Sequence, residues 1–192
     1  ILQLVKDHDL ALFSGHVSPE ETIALAKEAS RVGFGRLVFG HPNSNSVGAT
    51  LEHMKEVVGL GGWLEFCFIG AMPRLQRFNP AEIAEIVAEV GAAHCILSTD
   101  VFYGWSPPEP DLMRLYLGTM FDLGVSEEDL KTMVQDNPAR VLGLGPFRIL
   151  FRHILPNVMH IVIITFSLRF PAAIGTEVFM SFLGIGVQGE PS

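Results

Sequence analysis

The chain has 192 residues, of which 48% are hydrophobic and 18% are charged, and this composition is that of a globular protein and excludes an intrinsically disordered one. Its 13 Lys and Arg residues against 21 Asp and Glu residues form no dense positive surface for phosphate backbones, so we expect no nucleic-acid partner. Acidic residues fall mostly before Ala139, whereas residues 147–187 contain only four charged side chains. The sequence therefore predicts two parts of different character.

Alternating apolar and helical segments fill the first part. From Leu10 to about Val134, short apolar runs alternate with polar turns and with segments of helical spacing, which is typical of β/α units around a parallel sheet. Ser18 and Glu21 are spaced as a capping box that opens the first of these helices. Strands are predicted at residues 10–14, 36–40, 63–69 and 95–98. Helices are predicted at about residues 18–31, 51–60, 79–90, 111–123 and 126–136, the last ending before Asn137 and Pro138.

The number and spacing of these units predict an α/β fold. Four β/α units about 25 to 30 residues apart make half of an eight-fold TIM-type barrel. A doubly wound sheet with the same spacing is the alternative, and the spacing alone does not separate the two. After the four parallel strands we expect an apolar, transmembrane-like helical tail.

Side chains that are able to bind a metal ion lie at the ends of the predicted strands. In parallel α/β folds the carboxyl ends of the strands open onto the active face. His16 follows the first strand, His41 the second and Asp100 the fourth, while Glu65 lies within the third. Two imidazoles and a carboxylate on one rim suit zinc or a similar divalent ion. The alternative is structural, because a histidine or an aspartate after a strand also caps turns and helices.

Four sequence blocks, at residues 13–21, 40–42, 97–100 and 137–143, resemble the amidohydrolase superfamily of metal-dependent hydrolases. The resemblance places residues 1–143 in the C-terminal half of that family's barrel. It implies that His16, His41 and Asp100 bind a divalent metal, which we expect to be zinc. It also implies that Asp100 accepts the proton of the attacking water during hydrolysis of an amide, ester or lactone-like bond in a small-molecule substrate.

The sequence lacks the ligand residues that this family carries in the first half of its barrel. The His-any-His pair of the family's first strand is absent from the chain, and so is the bridging lysine or glutamate of its fourth strand. Lys6 and His8 lie on the helix before the first strand and are poor substitutes. Glu65 is expected to support the site or face substrate, and Tyr103 and Trp105 to line a substrate pocket or pack over the barrel mouth. We therefore expect a fragment of a hydrolase that is inactive as this isolated chain.

Residues 144–192 carry a second resemblance. The block Arg-His-Ile-Leu-Pro-Asn at residues 152–157 and the run Ser-Phe-Leu-Gly-Ile-Gly-Val at residues 181–187 resemble the inner-membrane permease of dipeptide and oligopeptide ABC importers. The resemblance implies a loop that docks on an ABC ATPase subunit, followed by a membrane span within residues 156–187. A buried C-terminal helix is the alternative, because Arg169 at mid-span costs ~2.5–3.5 kcal/mol on insertion scales and Pro171 interrupts a helix.

The two resemblances overlap at residues 139–143, where both families carry the sequence motif Ala-Arg-any-Leu-Gly. A motif shared by both families at this point suggests a join between two genes, by assembly, recombination or natural fusion. Both ends of the chain are also expected to be cut. Cys67 and Cys95 lie in apolar runs and are expected to be buried, reduced thiols, which places residues 1–143 in the cytoplasm. For residues 144–192 we expect an inner or plasma membrane. A transport component and a metal-free binding domain are the rival functions.

Overall fold

The computed structural model describes residues 1–72, 75, 77–145 and 150–185. The chain folds as two compact units, Ile1–Leu144 and Gly145–Ser192, called here the first unit and the second unit. Arg148 and Val187, which belong to the region of permease resemblance, lie outside the described residues.

The first unit contains a parallel four-stranded sheet. Its strands are β1 (Leu12–Phe13), β2 (Leu37–Gly40), β3 (Trp63–Cys67) and β4 (Cys95–Ser98), and they lie side by side in chain order. A doubly wound sheet would reverse its strand order at a switch point, whereas a β/α barrel adds each strand beside the last. The strand order therefore confirms the predicted half barrel.

Seven helices accompany these strands in the described part of the first unit. Three of them begin with capping boxes, and the sequence predicts the first: Ser18 Oγ accepts from the Glu21 backbone N–H while Ser18 N–H donates to the Glu21 carboxylate. The other two capping boxes are formed by Thr50 with His53 and by Asn79 with Glu82. The helices are α1 (Leu2–Asp7), α2 (Pro19–Arg31), α3 (Leu51–Gly59), α4 (Pro80–Val90), α5 (Glu109–Asp122), α6 (Glu127–Lys131) and α7 (Asn137–Val141).

The two faces of the sheet bury different side chains. Leu64 and Phe66 of β3 belong to the main core, together with helix residues such as Tyr116. On the opposite face, called here the inner face, Val38 and Ile96 pack with Val141 of α7 in a smaller cluster. The two-residue period of a strand explains this division, and it assigns Glu65 and Cys67 to the inner face.

Strands β1 and β3 are shorter than their apolar runs predict. The apolar run of β3 predicts a strand to residue 69, but pairing with β4 stops at Cys67 and Ser98, and a 3-10 turn, Phe68–Ala71, follows. The run of β1 predicts a strand over residues 10–14, and the strand comprises only Leu12–Phe13. In each case the paired ladder is shorter than the hydrophobic run.

The predicted end of a helix before Asn137 is wrong. Helix α6 continues through a π-helical turn, Thr132–Asp136, into α7. The Asn137 N–H donates to the carbonyl of Thr132, five residues back, and the wide turn accommodates Pro138, which has no N–H to give. The Asn137 side-chain amide donates to the carbonyls of Ala92 (2.8 Å) and Cys95 (2.7 Å), which ties this segment to the start of β4.

The described part of the second unit is a π-helical turn, Leu150–Ile154, and one long helix, α8 (Leu155–Phe182). Within α8, Val158–Phe182 has 25 residues and contains an 18-residue stretch with a mean hydropathy of 1.7, so by length and composition it is able to cross a membrane. Contrary to the expected interruption, the helix continues through Pro171. Within the described residues, the predicted tail is therefore a single apolar helix.

Candidate metal centre

The backbone turns sharply where three of the strands end. Gly15, after β1, has a φ of +67°, while His41 and Asp100, after β2 and β4, have φ values of 51° and 50°. Left-handed backbone costs a non-glycine residue about 1–3 kcal/mol, and such residues cluster at functional sites. Hydrogen bonds hold the turn at His41, because its N–H donates to the Glu65 carbonyl at 3.1 Å and its carbonyl accepts from Ser44 N–H at 3.0 Å.

The three side chains expected to bind metal lie together at this rim. The rings of His16 and His41 are stacked, with centroids 4.6 Å apart and planes 13° apart. His41 Nε2 lies 3.7 Å from Asp100 Oδ2. Two ligands each ~2.0–2.2 Å from one tetrahedral ion are roughly 3.3–3.6 Å apart, so the His41 and Asp100 atoms are near the spacing that zinc requires.

A fourth side chain at the rim, Cys67, is absent from the ligand set that the sequence predicts. Ligand atoms of His41, Cys67 and Asp100 all lie within 4.8 Å of one another, whereas His16 is not part of this group. Cys67 is only 3% exposed, and burial, with a smaller effect of the Glu65 charge, raises the pKa of its thiol well above the usual range. The sequence did not indicate this position, because the predicted strand ran to residue 69 and placed Cys67 within it, whereas β3 ends at Cys67 and so brings the side chain to the rim.

Glu65 lies two residues before Cys67 on the same face. Burial raises the pKa of its carboxyl above the usual value, and the Asp100 charge adds to this, while a hydrogen bond with Ser98 and the proximity of His41 oppose it. Glu65 lines a cavity of about 320 Å³ beside α7 and does not line the one that holds Cys67. Glu65 therefore lies two residues below the rim, and its expected role in supporting the site or facing substrate stays a prediction.

A cavity of about 210 Å³ opens at the rim. Phe102 and Tyr103 from the loop after β4 form part of its wall, and Tyr103 stacks on Trp105 with ring centroids 4.9 Å apart. Asn43 contributes an amide whose buried nitrogen has no hydrogen-bond partner among the described residues, and Arg77 contributes a guanidinium. The wall therefore combines aromatic surface with hydrogen-bond donors. His16, His41, Cys67 and Asp100 also line this cavity.

Comparisons with known proteins match the two parts of the chain to different families. Residues 1–65 match a family of unknown function (DUF6282), and residues 135–189 match the binding-protein-dependent transport system inner membrane component family. The oligopeptide transport system permease protein OppC of Bacillus subtilis is 47% identical over 49 residues, which are 26% of this chain and 16% of the relative. The dipeptide transport system permease protein DppC of the same bacterium is 44% identical over 50 residues, 26% of this chain and 16% of that relative.

A third curated relative, the glutathione transport system permease protein GsiD of Pectobacterium atrosepticum, is 41% identical over 59 residues, which are 31% of this chain and 20% of the relative. The chain thus spans a fifth or less of the length of these three permeases. Among solved structures, the phosphotriesterase from Mycobacterium tuberculosis aligns with a TM-score of 0.45 and 20% identity, covering 63% of this chain and 41% of that one.

The permease-like segment of the sequence is supported by these matches, and its start does not coincide with the division between the units. The family match begins at residue 135, whereas the first unit extends to Leu144. Asn137 and Val141 are buried in the first unit. Residues 135–144 therefore resemble a transport permease in sequence and pack as part of the half barrel.

Proposed function

We propose that the first unit binds one divalent cation through His16, His41 and Asp100, and that residues 1–143 are the C-terminal half of a metal-dependent hydrolase. The observation that carries the proposal is the 3.7 Å approach of His41 Nε2 to Asp100 Oδ2, with the His16 ring stacked on His41. Imidazole nitrogens and a carboxylate oxygen are donors that zinc accepts, so this side-chain set fits the ion.

Each residue of the site has a role in the proposed hydrolysis. When bound, a divalent ion supplies Lewis acidity that lowers the pKa of water toward ~7. His16 and His41 hold the ion with neutral imidazoles, and Asp100 accepts the proton of the attacking water. Phe102 and Tyr103 provide the surface on which a small substrate with an amide, ester or lactone-like bond would lie.

We expect this chain to bind a metal ion without catalysing hydrolysis. The missing His-any-His pair and bridging residue leave an incomplete ligand set, so the chain supplied with zinc should bind the ion and show negligible esterase or lactonase turnover. Turnover that is abolished by Asp100→Asn and survives purification would contradict the second part of this expectation.

Metal analysis and zinc titration of the full chain in detergent test the proposal. Replacing a ligand should weaken zinc binding by at least about tenfold, since even second-shell changes cost 10–100-fold. We expect this loss in His16→Ala, His41→Ala and Asp100→Asn. His53→Ala is the matched control, because His53 belongs to the capping box of α3. Unchanged zinc affinity in all three site variants would overturn the proposal.

A second function, membrane transport, is favoured by the match of residues 135–189 to the transport family and by α8. On this proposal the second unit inserts into an inner or plasma membrane, residues 1–143 stay in the cytoplasm, and the segment before α8 docks on an ABC ATPase subunit. The full chain should then remain with membranes after alkaline washing. Release of the full chain into the soluble fraction would contradict this proposal without affecting the metal site.

A further inference from the structure

The side chain of Cys67 has no part in the proposed hydrolysis. It is the last residue of β3, it lines the rim cavity, and it is one of only two cysteines in the chain. We propose that Cys67 is itself a ligand, and that with His41 and Asp100 it forms a metal centre selective for thiophilic ions. This inference rests on the proposed function in one respect, namely that a metal ion binds at this rim.

The first argument is position. Cys67 belongs to the inner face of β3, and β3 lies between β2, which leads to His41, and β4, which leads to Asp100. Three adjacent parallel strands thus each deliver one donor atom to the same end of the sheet. The three donors lie within 4.8 Å of one another, and the His41 and Asp100 atoms are already 3.7 Å apart.

The second argument is geometry at the ion. Zinc binds sulfur at ~2.3 Å and nitrogen or oxygen at ~2.0–2.2 Å, so a sulfur ligand lies about 3.5 Å from its neighbours around a tetrahedral ion. A contraction of roughly 1 Å from the widest separation brings all three donors to that spacing. The sulfur has one hydrogen-bond partner among the described residues, Ser98 Oγ at 3.1 Å.

The third argument is charge. Binding breaks the S–H bond of Cys67, forms a bond from sulfur to the metal, and releases the proton to solvent. A thiolate and the Asp100 carboxylate then balance the two positive charges of the ion, with neutral His41 as the third donor. Balance matters here because Cys67 is buried, and an uncompensated charge in such a place is costly.

The ligand type determines which ions the site selects. Thiolate sulfur is a soft donor that favours zinc and its thiophilic relatives, whereas magnesium and calcium prefer sites made of oxygen ligands. A centre of His41 and Asp100 with oxygen donors would accept magnesium or manganese. With Cys67 included, cadmium and zinc should bind in preference to magnesium.

Cadmium titration of the full chain in detergent tests the inference, because a thiolate bound to cadmium gives a charge-transfer absorption band in the ultraviolet. We expect this band at one equivalent of cadmium, and we expect an excess of magnesium not to displace the ion. The band should be absent in Cys67→Ser, whose cadmium affinity should fall by at least about tenfold.

Cys95→Ser is the matched control. Cys95 lies at the start of β4, at the opposite end of the strands, and its thiol donates to the Gly91 carbonyl at 3.3 Å. The variant leaves Cys67 as the sole thiol of the chain, so a band in Cys95→Ser belongs to Cys67 even if Cys67→Ser fails to fold. Circular dichroism establishes whether Cys67→Ser is folded.

The outcomes separate this inference from the proposed function. Cadmium binding without a thiolate band, or with a band that Cys95→Ser abolishes, overturns the role of Cys67 and leaves the metal site standing. Absence of any binding overturns both proposals. Binding with a band that Cys95→Ser retains supports both.

Discussion

At the scale of single residues, the site depends on two non-glycine residues in left-handed backbone, His41 and Asp100. Their positions follow from the sequence, because a polar residue directly after a buried strand must lie at the rim. Their backbone conformation does not, since histidine and aspartate are enriched at positive φ but still adopt a negative φ at most positions. The ligand position of Cys67 is hidden for a related reason: a cysteine in an apolar run has the same pattern whether it faces the core or the inner face.

The left-handed backbone at His41 yields a stability prediction. Alanine at a positive φ retains the backbone strain and glycine does not, so His41→Gly should be more stable than His41→Ala by about 1 kcal/mol. Zinc affinity should be lost equally in both variants. Urea unfolding followed by tryptophan fluorescence measures the difference, since both tryptophans, Trp63 and Trp105, belong to the first unit.

His53, inside α3, provides the control for this comparison. There the order should reverse, with His53→Gly less stable than His53→Ala by about 1 kcal/mol, because glycine is unfavourable within a helix. Equal stabilities of the two His41 variants would show that the turn at the end of β2 carries no strain.

At the scale of secondary-structure elements, the sequence correctly predicted the helix ends that are determined by nearby side chains. The starts of α2 and α4 agree with prediction because Ser18 and Asn79 satisfy their own helix ends. The end of α6 does not, because tertiary hydrogen bonds from Asn137 hold the chain in a helical path through Pro138. Interactions with residues more than 40 positions away have no local signature.

The role of Asn137 is testable by truncating its side chain. Asn137→Ala removes two hydrogen bonds and leaves the carbonyls of Ala92 and Cys95 without this donor, so it should lower the free energy of unfolding by ~2 kcal/mol. Asn45→Ala, in an exposed loop, is the control and should change stability by less than about 0.5 kcal/mol. Comparable effects in urea unfolding would contradict an anchoring role for Asn137.

At the scale of the whole molecule, the change in charge density along the sequence accompanies a change in structure. The first unit has a buried core around a sheet, whereas the side chains of α8, such as Phe166 and Leu168, are exposed. The sequence predicted this contrast because the helix lacks both strand alternation and a polar face. The sequence also placed residues 137–143 in the half barrel, and Asn137 and Val141 are buried there, although the same residues resemble the permease family.

Removing the second unit should improve solubility. A chain that ends at Gly145 loses the large apolar surface of α8, which is an aggregation liability in water, and keeps every residue of the first unit. We expect more soluble protein on sedimentation and an unchanged unfolding midpoint for the first unit by tryptophan fluorescence. Unfolding of the truncated chain would show that both units share one core.

The strand order described above also leaves two free edges. In the described part of the chain β1 pairs only with β2, and β4 pairs only with β3. A complete barrel has no edges, and a polypeptide supplying four more parallel strands would pair with β1 and β4 simultaneously. These two edges make the unit a candidate for fragment complementation with a separately expressed half, and they also make it prone to strand exchange with its own copies when it is produced alone.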